Sequence, residues 1–412
     1  SDGGPTPGPT FFSPLPSTPW SEVDVNYNAD TPYQWLPDGT GLQLQQLPVA
    51  MASVAGTEAR RLYSLAAANE EKQQSGGALR HRARMSYFMS TRATDSAATC
   101  LADRTCLPLG GYSAWASFGN VTQGRGWVLA TLPLDGHALA DSRATAAHHV
   151  AAPLAAWLGA AHALGRAAWR NVTAGAESEA NSVLPVVFAA LNGEQWSRAG
   201  SRAFVQDVKL GSGFVCDVPV KDAAEKVVAC MRPYRIDLAH AELPLSSLAA
   251  VLELGALASP RVYTHAQRDG VSAALQADVA WVAALPSNAP FALNVSTAHA
   301  DTPGLPPSAA AQAVVAAEST VPAVLLADFD KEFDPLMGSM FDGVANAGKD
   351  RGYNHLCAAA TAYARTLALQ AGVGSRAANN SAPLLAIEAD CEFVWELAQC
   401  FLRQGRCQLL QT

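Results

Sequence analysis

Predominantly apolar runs alternate with longer alanine-rich runs along most of the chain. The apolar runs are bounded by turn residues and predict four buried strands, at residues 124–134, 182–191, 245–257 and 321–329. The alanine-rich runs predict two helices, at residues 144–169, despite Pro153, and at residues 356–372. This alternation predicts an α/β fold with a mixed, mostly parallel central sheet flanked by helices.

The N-terminal part of the chain has a different pattern. Residues 1–20 are rich in Pro, Gly, Ser and Thr, which predicts an extended leader. Residues 21–108 combine short alternating apolar stretches with a polar, helix-like run at residues 56–74, and they predict a small N-terminal lobe. Residues 109–412 are expected to form the large lobe.

Composition and charge exclude several classes of protein. Apolar residues make up 49% of the chain and charged residues 16%, which predicts a large core and excludes a disordered chain. The net charge is -8 and the basic residues are scattered, so a nucleic-acid-binding face is not expected. No apolar run approaches the roughly 18 to 20 residues that cross a bilayer, so no spanning segment is predicted within the sequence.

The cysteines predict disulfides. Cys100 lies close to Cys106, and Cys216 lies close to Cys230, which predicts two bridges by proximity in the sequence. The other four cysteines allow three pairings, between which the sequence does not choose: Cys357, Cys391, Cys400 and Cys407.

Four N-x-[ST] sequons stand on polar or turn-like segments, at Asn120, Asn171, Asn294 and Asn379. Each sequon alone is a weak signal. Together with an even number of cysteines they predict a glycosylated, disulfide-bonded protein on the extracellular or lumenal side of a membrane.

Four acidic residues follow or interrupt the predicted strands: Asp135, Glu194, Glu253 and Asp328. A buried carboxylate is costly unless it is paired, hydrogen-bonded or bound to a metal, so this set predicts a cleft at one edge of the sheet. The alternative is that each acid accepts hydrogen bonds from the backbone amides of a turn or of the next helix. The motifs of serine hydrolases, zincins and phosphate-binding loops are absent from the sequence.

The segment GEQWSRAGS, at residues 193–201, resembles the G-E-E-x-G-L-x-G-S block of the zinc aminopeptidase superfamily. The resemblance implies that the general base of that family falls on Glu194 and that a neighbouring metal-binding Glu falls on Gln195. The family's H-x-D motif falls on residues 133–135, so Asp135 is retained, but Pro133 replaces a ligand His.

The remaining metal ligands of that family match less well. The strand acid falls on Glu253 and the final His falls on Phe329, while the bridging Asp falls near His148 or His149, which we expect on a helix surface. Proline and phenylalanine cannot ligate zinc, so the resemblance implies a pseudo-peptidase without a cofactor. The alternative function is an active zinc aminopeptidase, which would hold zinc.

The order of the blocks over roughly residues 30–400 resembles the ectodomain of the nicastrin family more closely. This resemblance implies a non-catalytic subunit of γ-secretase that admits or sterically screens the stubs of type I membrane proteins. The implied partners are a presenilin-type aspartyl protease and the other γ-secretase subunits. A further alternative is an inactive receptor ectodomain of the same fold. The resemblance also makes residues 35–51 a candidate lid over the pocket.

The candidate pocket residues are Glu194, Gln195, Arg198, Asp135 and Glu253. Glu194 either pairs with a cation, such as a peptide amino group, or is a buried structural carboxylate. After the Gly-Glu pair the chain retains only the Gly-Ser of the nicastrin-like signature, at Gly200 and Ser201. A substrate contact made by the lost Asp or Tyr of that signature is therefore not expected.

Overall fold

The computed structural model describes residues 56–82, 111–119, 121, 126–136, 146–168, 183–195, 198–210, 218–223, 225, 227–231, 234–235, 243–267, 270–298, 304–306, 309–331, 342–344, 353–377, 379–404 and 407. The predicted leader, the candidate lid, Cys100, Cys106, Cys216, Asn120 and Asn171 lie outside these residues. The chain divides into two compact units, and residues 44–110 form the smaller one. Its described part contains helix α1 (Gly56–Gln74).

The larger unit contains a seven-stranded sheet. Its strands are β1 (Ala114–Phe118), β2 (Trp127–Pro133), β3 (Val186–Leu191), β7 (Leu248–Leu254), β8 (Arg261–Ala266), β9 (Asn294–Thr297) and β10 (Ala323–Ala327). They lie side by side in the order β1-β3-β2-β7-β10-β8-β9. The four pairs β2–β3, β2–β7, β7–β10 and β8–β9 are parallel, whereas β1–β3 and β8–β10 are antiparallel.

A separate three-stranded antiparallel sheet consists of β4 (Pro219–Lys221), β5 (Val227–Met231) and β6 (Tyr234–Arg235). The helices of the larger unit are α2 (Ala152–Ala163), α3 (Ala199–Leu210), α4 (Ala273–Ala283), α5 (Ala311–Ala317), α6 (His355–Gln370), α7 (Ala382–Leu385) and α8 (Cys391–Gln399). Of the helices in the described part of the chain, none combines the length and the apolar character that crossing a bilayer requires.

The central strands are predominantly apolar and do not alternate with polar residues, because both faces of the sheet are covered. All residues of β2, β3 and β10 are buried. On one face, Val128, Ala130 and Leu132 pack with side chains of α2, α4, α6 and α8. On the other face, Trp127 and Leu129 pack with side chains of α3 and α5. An apolar run without alternation is what a parallel strand between two helix layers requires.

The predicted fold class is confirmed, since the sheet is mixed, mostly parallel and flanked by helices. The four predicted strands correspond to β2, β3, β7 and β10, and the two predicted helices correspond to α2 and α6. Single π-helical turns at Ala147–Ala151 and Leu164–Ala168 extend α2 at both ends. Pro153 lies at the junction of the π-helical turn and α2, where it has no N–H to donate to the preceding turn; the His148 carbonyl of that turn accepts the backbone N–H of Leu257 instead.

The structure resolves the cysteine pairing that the sequence left open. Cys357 at the start of α6 is bonded to Cys391 at the start of α8, and Cys400 is bonded to Cys407. Cys230 in β5 is also disulfide-bonded, while its predicted partner Cys216 lies outside the described residues.

Candidate functional site

The acidic residues meet at one edge of the sheet. Strands β2, β3, β7 and β10 are mutually parallel, so their carboxyl ends lie together. Asp135 follows β2, Glu194 follows β3, Glu253 is the penultimate residue of β7, and Asp328 directly follows β10. The carboxyl edge of parallel strands is where α/β proteins place their functional groups. The four acidic residues therefore lie at the same edge of the sheet.

The Asp135 carboxylate organises the turn that follows β3. Its Oδ1 accepts hydrogen bonds from the backbone N–H groups of Gly193 (2.9 Å) and Glu194 (2.8 Å), and its Oδ2 accepts one from Gln195 (3.0 Å). Gly193 adopts φ +90°, a conformation that favours glycine and that helps three consecutive amides to point at one carboxylate. Asp135 therefore caps a turn.

Glu194 is held by the first turn of α3. Its Oε1 accepts the backbone N–H of Ser201 at 2.6 Å, and its Oε2 accepts the Ser201 hydroxyl at 2.9 Å. Only 3% of Glu194 is exposed. Gly200 is required here, since an added Cβ would lie 2.3 Å from the carbonyl oxygen of Asn192 and 2.9 Å from Glu194 Oε1. In the Gly-Ser pair of the sequence motif, Gly200 thus leaves space for the Glu194 carboxyl group and Ser201 donates hydrogen bonds to it.

Glu253 and Arg198 belong to the same buried cluster. The two carboxylate oxygens of Glu253 accept the backbone N–H groups of Ala310 (3.0 Å) and Ala311 (2.8 Å), at the start of α5. Arg198 adopts φ +56° and donates a hydrogen bond from Nη1 to the side-chain oxygen of Gln312. Its positive charge favours the ionised form of Glu253. A non-glycine residue with positive φ is uncommon and marks a constrained backbone.

Burial shifts the protonation of both glutamates. Loss of hydration raises the pKa of Glu194 to about 8, against the opposing hydrogen bonds from Ser201, and the nearby Glu253 and Asp135 carboxylates add to the rise. Loss of hydration likewise raises the pKa of Glu253 to about 7, against the hydrogen bonds from Ala311 and Ala310 and the charge of Arg198. At neutral pH Glu194 is therefore mainly protonated.

Gln195, on which the sequence resemblance places a metal-binding Glu, contacts a histidine. Its Nε2 lies 2.7 Å from His149 Nε2, and His149 is 7% exposed. The buried Asp342 accepts the backbone N–H groups of His148 (3.0 Å) and His149 (3.1 Å), and its Oδ1 lies 2.7 Å from His148 Nδ1. The expectation of a helix-surface position is therefore wrong for His149, which is buried, with its backbone N–H bonded to Asp342 and its Nε2 beside Gln195.

The position expected for the final histidine ligand is apolar. The Phe329 side chain is 7% exposed, and its ring lies 4.9 Å from the ring of the buried His265 on β8. His265 Nε2 lies 2.8 Å from the carbonyl oxygen of Phe329. Loss of hydration lowers the pKa of His265 to about 4, although the hydrogen bond to Phe329 and the charge of Asp330 oppose this shift.

These residues do not fit a two-zinc centre. Zinc needs several lone pairs directed at one point. The carboxylate oxygens of Asp135, Glu194 and Glu253 all accept protein hydrogen bonds, while Pro133 and Phe329 carry no side-chain ligand atom. Within the described ranges, no group of three or more His, Cys, Asp or Glu side chains is placed to hold a metal ion.

A sequence model of the nicastrin large lobe matches residues 126–371, more than half of the chain. This chain belongs to the nicastrin family. The nicastrin of Arabidopsis thaliana is 26% identical over 409 residues, which cover 95% of this chain and 53% of that protein. The chain thus spans about half the length of this family member.

One solved structure shows the same fold, and a weaker similarity is found to another. The crystal structure of the γ-secretase component nicastrin matches with a TM-score of 0.60 at 20% identity, over 76% of this chain and 50% of that one. The LapA aminopeptidase of Legionella pneumophila matches with a TM-score of 0.37 at 15% identity, over 62% of this chain and 53% of that one.

Within this nicastrin fold, the structure adds partners that the sequence analysis did not identify. Three residues form hydrogen bonds with a residue of the predicted site or with one of its neighbours: Ser201, Gln312 and Asp342. Ser201 carries a usable signal, because it follows Glu194 at the start of a helix and helix starts provide free amide donors. Gln312 and Asp342 are more than 100 residues away in sequence from the groups they contact, and no local pattern indicates them.

Proposed function

We propose that this chain is an ectodomain portion of a γ-secretase component, with a non-catalytic role as substrate receptor or steric gatekeeper. Membership of the nicastrin family supports the proposal, and a solved relative of the same fold is named as a γ-secretase component. The substrates would be the stubs of type I membrane proteins. The peptide-cleaving aspartates would belong to a presenilin-type partner, bound together with the other subunits of the complex.

One observation carries the non-catalytic part of the proposal. Each of the three carboxylates Asp135, Glu194 and Glu253 accepts hydrogen bonds from backbone amides at the same sheet edge. In a hydrolytic zinc centre such groups would bind the metal or activate its water. We infer that here they fix the turn after β3 and the starts of α3 and α5, so that the fold persists without a cofactor.

We place the chain on the extracellular or lumenal side of a membrane. The disulfides Cys357–Cys391 and Cys400–Cys407 support this location, because such bonds persist in oxidising compartments. The sequons at Asn294 and Asn379 lie on exposed residues that an oligosaccharide can occupy.

The first experiment separates this proposal from an active zinc aminopeptidase. The purified chain is analysed for metal by mass spectrometry and is assayed with a chromogenic aminoacyl substrate, before and after dialysis against zinc. We expect less than stoichiometric zinc and no turnover above buffer. Stoichiometric zinc together with turnover that Glu194→Gln abolishes would refute the pseudo-peptidase proposal.

The second experiment tests the assignment to a complex. The full-length protein that contains this chain is expressed in cells lacking their own nicastrin, and cleavage of a type I stub is measured together with co-purification of a presenilin-type protease. We expect both to be restored, and Glu194→Gln to retain both because glutamine can replace both hydrogen bonds to Ser201. Failure to recover the protease from cells that fold the protein would favour the receptor-ectodomain alternative.

A further inference from the structure

A groove lies between the start of α6 and helix α8, on the side of the fold formed by the α2, α4, α6 and α8 layer. Its volume is about 380 Å³. The disulfide Cys357–Cys391 and the buried Val394 line it with apolar atoms, and the aromatic rings of Tyr353 and Trp395 also border it. This volume lies near the lower end of ligand pockets and can hold an extended side chain with part of its backbone.

Trp395 is the residue that distinguishes this groove. It is 52% exposed, although large aromatic side chains of soluble proteins are usually covered. Glu392 lies three residues earlier on α8, so its carboxylate and the indole occupy the same side of the helix. An exposed tryptophan beside a carboxylate offers a cation both a ring face and a counter-charge.

Some of the acidic side chains around the groove lack an ion-pair partner among the described residues. Four acids lie on α8 and the segment that precedes it. Two of them form ion pairs. Glu388 Oε1 lies 2.6 Å from Arg365 Nη2, and Asp390 Oδ2 lies 2.9 Å from Arg166 Nη1. Glu392 has no ion-pair partner in the part of the chain that the structure describes. Among the residues that the structure describes, no ion pair therefore neutralises the charge of Glu392 at the rim of the groove.

We propose that this groove binds a lysine or arginine side chain presented by an extended segment of a partner polypeptide. Such a side chain matches both halves of the groove. Its methylene stem packs on the disulfide and Val394, and its cationic group lies between the Trp395 ring and the Glu392 carboxylate. A purely apolar ligand would leave Glu392 without a partner, and a small cation would leave the apolar lining uncovered.

The test follows the indole signal of Trp395 by NMR. The full chain is labelled at its nine tryptophans, and Trp395→Phe assigns the Trp395 cross-peak. Acetylated and amidated Ala-Lys-Ala and Ala-Arg-Ala peptides are titrated against the same peptide with norleucine at the centre. We expect the basic peptides to shift this cross-peak saturably and the norleucine peptide to bind at least several-fold more weakly.

Glu392→Gln is the decisive variant, because it removes the charge at an exposed position without disturbing the fold. It should weaken the basic peptides up to about fivefold, the range of an exposed ion pair, because the Trp395 ring remains in place. Glu396→Gln removes the same charge one helical turn further along α8, outside the groove lining, and should leave the affinity unchanged.

Three results would overturn the proposal. Equal shifts with the norleucine peptide would define an apolar cleft that does not select a cation. Equal weakening by Glu392→Gln and Glu396→Gln would indicate general attraction to an acidic protein. A Trp395 shift that depends on protein concentration without peptide would identify a second copy of this chain as the occupant.

Discussion

The carboxyl group of Glu194 holds Ser201 by two hydrogen bonds, at 2.6 Å to its backbone N–H and at 2.9 Å to its hydroxyl. This relationship joins the end of β3 to the first turn of α3, and Gly200 leaves the space that it needs. Burial raises the pKa of Glu194 to about 8, so the group on which the sequence resemblance places a general base is largely protonated at neutral pH. Its local surroundings favour a structural role.

Stability should fall as the pH rises through the neutral range. The pKa of Glu194 is about 8 in the folded protein and near 4.5 in an unfolded chain, so between these values the folded state retains a proton that the unfolded state releases. Glu194 alone should reduce the free energy of unfolding by up to about 1.4 kcal/mol for each pH unit in this window. Glu194→Gln should flatten that decline in urea titrations at several pH values.

The control for that series is Glu396→Gln, which removes a carboxylate from an exposed position of α8. It tests whether a change in net charge alone alters the slope. A decline that remains as steep in Glu194→Gln as in the parent chain would show that Glu194 is ionised in the folded protein, contrary to its burial.

His265 should act in the opposite direction at lower pH. Its pKa is lowered from 6.5 to about 4 by burial, so below about pH 6.5 the unfolded state binds a proton that the folded state does not. Stability contributed by neutral His265 is therefore lost as the pH falls from 6.5 towards 4. His265→Gln should reduce this acid-side loss while keeping a donor for Phe329. If the free energy of unfolding of that variant falls as steeply below pH 6.5 as that of the parent chain, the prediction is contradicted.

Asp135→Asn should be markedly destabilising. The carboxylate accepts three backbone amides, whereas an asparagine oxygen is neutral and its amide nitrogen cannot accept the third hydrogen bond. Loss of charge-assisted bonds to partly buried donors should lower the free energy of unfolding by about 2 to 3 kcal/mol, measured by urea denaturation.

Asp390→Asn is the matched control for Asp135, because Asp390 also caps a backbone turn. It accepts the backbone amide of Phe393 at 3.3 Å at the start of α8, and its other oxygen forms an ion pair with the largely exposed Arg166 at 2.9 Å. Its substitution should cost no more than about 1 kcal/mol. Equal costs for the two substitutions would show that the three-amide cap of Asp135 contributes little.

The strands at the centre of the sheet could be predicted from sequence because both of their faces are buried, which leaves a wholly apolar run as the signature. The same reasoning located Asp135, Glu194 and Glu253, since a carboxylate beside such a run needs an explanation. Strands β8 and β9 lie towards one side of the sheet and carry exposed positions, so their sequences lack that signature. Contacts such as Gln195 with His149 join distant segments and depend on tertiary packing.

The two resolved disulfides should differ in their contribution to stability. Cys357–Cys391 closes a loop with a separation of 34 residues, and Cys400–Cys407 one of 7 residues. In the loop-entropy account, removing the first should cost about 4 kcal/mol and removing the second about 2 kcal/mol. Paired Cys→Ala substitutions measured by urea denaturation test this order. Peptide mapping without reduction checks the connectivity, and a Cys357–Cys400 peptide would contradict it.

An oligosaccharide on Asn294 should protect an edge of the sheet. Asn294 is the exposed first residue of β9, which is an edge strand among the described elements, and its sequon continues along that strand. An exposed strand edge is a template for pairing with another chain, and bulky polar cover suppresses such pairing.

Asn294→Gln, produced in a glycosylating host, should therefore increase self-association, measured by analytical ultracentrifugation. Ser381→Ala removes instead the sequon of Asn379, an exposed turn residue, without placing another side chain at its positive φ, and should leave the protein as dispersed as the parent. Because both variants lose one sequon, equal association would attribute the effect to lost solubility and would refute the protection of β9.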